Sequence, residues 1–140
     1  PKQSSINRHA ALLAFLGRFF EKLAQRDTGI RTRGIHPEDL KGLFQTAAIL
    51  RNPLPENLPD IKSLAENAGM SPTKFKLIFR QVFGAPPIRY HQKIRMEYAK
   101  VELAAGKRSA SEISYELGYS HPSKFSTAFK KQFGLLPSEI

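Results

Sequence analysis

Cysteine is absent from this 140-residue chain, which excludes disulfide bridges and thiolate metal sites and fits a reducing cytoplasm. Valine occurs only at Val82 and Val101 and β-branched runs are few, so no β-sheet is expected. No apolar stretch is long enough to span a bilayer: the longest, Ala10 to Phe20, is broken by Gly17 and Arg18. A catalytic constellation is also missing. The histidines His9, His36, His91 and His121 are dispersed, with no His-Glu-x-x-His spacing, and Gly106 lies in no phosphate-cradling loop. Neither enzymatic activity nor a cofactor or metal is therefore expected. No initiator methionine precedes Pro1, so the chain is expected to be part of a longer protein.

Acidic residues are scarce as well: 12 against 22 lysines and arginines, a formal net charge of +10. That balance favours a polyanionic partner, most often nucleic acid and less often an anionic membrane surface.

What the chain does contain is one stretch written twice. Pro72, Lys74, Phe75, Phe79, Phe83, Gly84 and Pro87 recur fifty positions later as Pro122, Lys124, Phe125, Phe129, Phe133, Gly134 and Pro137. Just upstream the offset is forty-nine, pairing Gly69 with Gly118 and Ser71 with Ser120, so the second copy gains a residue at His121. A period of this size marks a repeated supersecondary unit.

Each copy reads as a turn followed by a helix, about 72–83 and 122–133. Serine ahead of proline suits a helix start. Phenylalanines at i, i+4 and i+8 line one face, and Gly84 and Gly134 supply left-handed C-terminal caps. The opposite face carries Thr73, Lys74, Lys76, Leu77 and Arg80 in the first copy. In the second it carries Ser123, Lys124, Ser126, Thr127, Lys130 and Lys131. An aromatic stripe behind a basic, hydroxyl-rich front suits a helix that enters a major groove, with cations on phosphate or guanine and hydroxyls near base edges.

Each of these helices follows a short one. Asp60 caps the first, with Ile61, Leu64, Ala65 and Ala68 turned inward and Met70 behind Gly69. Ser111 is the candidate cap of the second, with Ile113, Ser114 and Leu117 inside. Helix, glycine-containing turn, helix is the helix-turn-helix pattern, expected over 60–84 and 110–134. A single helix from Pro87 to about Ala105 joins them, with Tyr90, Ile94, Tyr98, Val101 and Leu103 inward, Ala99 allowing close approach, and Arg89, Lys93, Arg95 and Lys100 as its basic side.

Ahead of these elements, Ile6 to Leu23 has helical apolar spacing and reads as a dimerisation helix, the tail of a missing upstream domain, or a helix packed on this chain. Arg26 to Gly34 is a basic connector. His36-Pro37-Glu38-Asp39 starts a helix that runs through Leu40, Leu43, Phe44, Ala47, Ala48 and Leu50 to about Arg51. Prolines at 53, 55 and 59 then forbid any helix and mark a linker over 53–59. The expected fold is all-α: two helix-turn-helix subdomains joined by a long central helix, preceded by a helical segment over 1–52.

The doubled motif resembles the DNA-binding domain of AraC/XylS-type bacterial transcription regulators. The likeness covers Leu58 to Ile140 and rests on Ile61-Lys62-Ser63-Leu64-Ala65, Gly69-Met70-Ser71, Phe75 through Phe79 and Gly84, and Arg95-Met96-Glu97-Tyr98-Ala99. Ile113 through Gly118-Tyr119-Ser120, Phe125 to Phe129 and Gly134 to Pro137 complete it. It implies a seven-helix domain that inserts two recognition helices into adjacent major grooves of double-stranded promoter DNA. By position, the base-facing residues would be Thr73, Lys76 and Leu77, then Ser123, Lys124, Ser126 and Thr127. Ser71, Lys74, Arg80, Arg89, Lys93, Arg95, Ser120, Lys130 and Lys131 would be phosphate contacts. Leu77 departs from the pattern: it can meet only a thymine methyl or protein. Further implied partners are a missing N-terminal effector domain, RNA polymerase and a homodimer partner through residues 6–23, in a cytoplasmic setting without a membrane. The competing reading is a helical protein-interaction or membrane-surface adaptor that uses basic amphipathic helices. It leaves the recurrence unexplained.

Overall fold

The computed structural model describes residues 32–55 and 57–140; the expected helix over 6–23 and most of the basic connector lie outside them. The described residues contain six α-helices and a short 3₁₀ turn and no strand. They are α1 Pro37–Leu50, α2 Ile61–Asn67, α3 Pro72–Phe83, α4 Pro87–Ala104, α5 Ala110–Glu116 and α6 Pro122–Phe133, with the 3₁₀ turn at Pro137–Glu139. Packing divides them into two compact units, one of residues up to Arg51 with Pro59–Pro87, the other of Asn52–Leu58 with Ile88–Ile140.

In the first unit each helix start is satisfied locally. His36 caps α1 by accepting the Glu38 N–H on Nδ1 at 3.3 Å, with Pro37 leading and Glu38 and Asp39 in the first turn. Asp60 caps α2, its carboxylate accepting the Ser63 N–H at 2.8 Å, a bond that holds this carboxyl below its usual pKa. Ser71 caps α3 through the Lys74 N–H at 3.3 Å. At the far end Gly84 takes φ 77°, the left-handed conformation that a side chain at that position would resist.

The core of this unit draws on all three helices: Leu43, Ala47 and Leu50 from α1, Leu64 and Ala65 from α2, and Phe75, Ile78, Phe79 and Val82 from α3. Helix α1 sits close to α2 because Gly42 has no side chain; a Cβ there would collide with the Ala68 carbonyl oxygen. Thr46, fully enclosed, donates its hydroxyl to the Leu64 carbonyl at 3.4 Å. Phe44 is partly exposed and meets Phe83 edge-on, with 5.8 Å between ring centroids.

The second unit is built by α4, α5 and α6. Phe125 and Phe129 are fully buried, and the ring series continues from Tyr119 to Phe125 at 5.7 Å and from Phe129 to Phe133 at 4.7 Å. Helix α4 is tied to α6 by Gln132, which donates to the Lys93 carbonyl at 3.3 Å, and by the Lys100 ammonium 4.7 Å over the Phe133 ring. It is tied to α5 by Tyr98, whose hydroxyl donates to Glu116 at 3.3 Å. Arg108 bonds the same carboxylate and lies 3.6 Å from Glu102. Burial, with the charges of Glu116 and Glu102, pushes the Tyr98 hydroxyl up to about 12.

Three local expectations change. The α5 cap is Ser109, not Ser111: the Glu112 N–H donates to Ser109 Oγ at 3.2 Å and the Ser109 N–H to Glu112 at 2.7 Å, a reciprocal capping box. Val101 is 42 % exposed although its helical angle matches Tyr90 and Ile94, because it lies in the last turn of α4, and Leu103 is only partly covered. Met96 is fully enclosed instead, so α4 is covered on more than the one face that periodicity marks. Finally, Ser71 caps its helix but Ser120 does not: His121 holds that place with no side-chain bond, since the added residue moves the serine one position back.

Truncating a fully buried ring, Phe79→Ala or Phe129→Ala, is expected to cost about 3–5 kcal/mol, read from chemical denaturation. The Gly42→Ala variant is expected to lose roughly 1–3 kcal/mol by prising α1 from α2; unchanged stability would show that α1 does not dock as described.

Candidate nucleic-acid interface

Helices α3 and α6 have their rotation set by the rings they bury. At about 100° per residue, positions 73, 77 and 80 lie roughly opposite Phe75 and Phe79, and positions 123, 127 and 130 lie roughly opposite Phe125 and Phe129. The accessibilities agree. Thr73, Lys76, Leu77 and Arg80 are exposed on α3, and Ser123, Lys124, Thr127, Lys130 and Lys131 on α6, while the rings behind them are closed off. Each unit thus carries an outward face of cations and short side chains on a helix that starts with proline and ends at a left-handed glycine.

Within those faces the residues are not equally available. The Lys74 ammonium lies 2.8 Å from the Asp39 carboxylate of α1, so this candidate phosphate contact starts out neutralised, with half its side chain still accessible. The Ser71 hydroxyl serves as a cap acceptor, whereas Ser120 stands exposed two residues ahead of its helix, before the cap His121. Thr127 donates its hydroxyl to the Ser123 carbonyl at 3.0 Å, so it adds to the surface a methyl and an acceptor oxygen but no free donor. Ser126 is only partly exposed because it borders the ring face.

On α4, Arg89 and Lys93 are exposed. Arg95 is only partly exposed. Its guanidinium sits 5.5 Å over the Tyr119 ring, its Nε is buried without a hydrogen-bond partner, and burial lowers its pKa against the opposing influence of Tyr119. Gln92 donates to the Tyr119 hydroxyl at 2.6 Å, so the arginine and glutamine together orient the turn before α6. The residue pattern marks Asp39 only as a first-turn acid of α1, with no signal of its pairing with Lys74, and does not single out Gln81, exposed on α3 and donating to the Arg33 carbonyl at 3.3 Å.

Among the described residues no group of three His, Asp or Glu could hold a metal ion, and no helix is long and apolar enough to cross a membrane.

Comparison with known proteins agrees with this geometry. The family described as Helix-turn-helix domain matches residues 64–140. The HTH-type transcriptional regulator AlkR of Acinetobacter baylyi is 31 % identical over 98 % of this chain and 44 % of its own length. The arabinose operon regulatory protein of Salmonella typhimurium is 26 % identical over 95 % of this chain and 47 % of its own. The chain therefore spans less than half the length of these curated relatives. Among solved structures, the DNA-binding domain of AdpA, a global transcriptional factor crystallised with a target DNA, superposes with a TM-score of 0.60 at 26 % identity, covering 70 % of this chain and 87 % of that one. The repeated unit, its helical fold and these likenesses place the chain in the AraC-type helix-turn-helix family.

Proposed function

We propose that this chain binds double-stranded promoter DNA sequence-specifically as part of a transcription regulator, inserting α3 and α6 into adjacent major grooves. The observation that carries this reading is the doubled face: two helices, each rotated by its own buried phenylalanines, each presenting lysines and small side chains outward. Cations there meet phosphates, and Lys76 and Lys124 reach base edges. Helix α4, 18 residues or about 27 Å long, is of the order of the ~34 Å between successive grooves on one side of a duplex. Exposed Arg89 and Lys93 then meet the backbone between them.

Residues 1–52 connect to an effector domain, with α1 as the portion resting on the first helix-turn-helix and residues 6–23 joining a second copy. RNA polymerase is the further partner, and the setting is the cytoplasm. No catalytic step belongs to this chain.

Selecting bound duplexes from a random pool tests the proposal. The expected product is a bipartite site with half-elements one helical turn apart, bound with a log–log salt slope of about −0.9 per phosphate neutralised. Binding to anionic vesicles with no duplex selected would favour a membrane-surface adaptor instead. On the selected duplex, Lys76→Ala and Lys124→Ala are each expected to lose about 1–3 kcal/mol of discrimination; an equal loss on all sequences would make that lysine a phosphate contact. Asp39→Asn, which releases Lys74, is expected to tighten non-specific duplex binding and steepen the salt slope by about 0.9. An unchanged slope would show that Lys74 meets no phosphate.

A further inference from the structure

Leu77 has the most accessible large apolar side chain among the described residues, at 69 % exposure. It also holds the most outward position of α3, about 200° around the helix from buried Phe75. Thr73 stands one turn before it on the same face and Arg80 just under one turn beyond, both exposed. A leucine set between a hydroxyl and a guanidinium interrupts an otherwise polar surface, and the first unit offers it no core.

The position is matched in the second unit. Leu77 and Thr127 are equivalent in the repeat, and Thr127 spends its hydroxyl on the Ser123 carbonyl. Both helices therefore place an apolar group, the Leu77 side chain and the Thr127 methyl, and no free donor at the centre of the face that the proposed function turns to the duplex. A leucine there can neither donate nor accept a hydrogen bond, and pressed against a polar base edge it would leave that edge unpaired. The major groove shows one methyl group, the C5-methyl of thymine.

We propose that Leu77 is a specificity-determining residue that favours thymine by contact with its C5-methyl, so the half-element under α3 contains a preferred thymine read without hydrogen bonds. This rests on the duplex-binding reading and narrows it from a class of ligand to one base.

The test uses the full 140-residue chain and the duplex recovered from the random pool. Each thymine is replaced in turn by uracil, which removes only the methyl. One replacement is expected to weaken binding about fourfold, the worth of one buried methyl. That loss is expected to vanish in Leu77→Ala and to persist in Leu77→Met, which keeps an apolar tip. Because Leu77 is exposed, all three proteins should melt alike. If uracil is tolerated at every position, or the loss is as large in Leu77→Ala, duplex binding stands but this assignment falls. If no duplex is selected at all, the functional reading falls with it.

Discussion

The burial of Phe75 and Phe79 in one unit, and of Phe125 and Phe129 in the other, is the constraint on which the rest depends. A helix with two completely enclosed rings one turn apart cannot rotate about its axis without bringing aromatic surface into water. Each such ring contributes on the order of 1.5–3 kcal/mol by burial alone. Once rotation is set, the identity of the exposed residues follows from arithmetic. The chemistry at the surface is thus dictated from inside, and repeating the phenylalanine spacing repeats the surface.

Around this shared design the units differ in what surrounds the outward helix. In the first, α1 lies on the short helix through the close approach at Gly42 and the Thr46–Leu64 hydrogen bond, and it brings Asp39 to the start of α3. In the second, α4 takes part in the packing, with Arg95 stacked on Tyr119 and Gln92 bonded to its hydroxyl before α6 begins. One unit therefore starts with a lysine already paired, and the other with its lysine exposed and an uncapped, free-standing serine ahead of it. If both faces read DNA, they do so with unequal charge. The second unit then holds more of the backbone, and the first depends more on shape and carbon contact.

Much of this was legible from residue order alone because it is local. The caps at Asp60 and Ser71, the left-handed stops at Gly84 and Gly134 and the ring stripes involve neighbours within one or two turns, and side-chain spacing reports them directly. The Ser109 cap was equally local, its serine followed three positions later by Glu112, although Ser111 stood nearer the apolar residues. What could not be read depends on groups distant in the chain. The Asp39–Lys74 pair and the Gly42–Ala68 approach are of this kind, since neither residue carries a mark of its partner. Arg95 is the sharpest case: by type and spacing it belongs to a basic face, and only the proximity of Tyr119 turns it into a packing residue.

The absence of native cysteine allows the central claim, that both outward faces meet one duplex, to be measured directly. A DNA-cleaving iron chelate can be attached to a single thiol in Thr73→Cys or Ser123→Cys and the cleavage of a selected duplex mapped. Two tight clusters of cuts are expected, one for each variant, about 10 base pairs apart on the same side of the helix. Cuts from only one variant, or cuts scattered along the duplex from both, would contradict that claim.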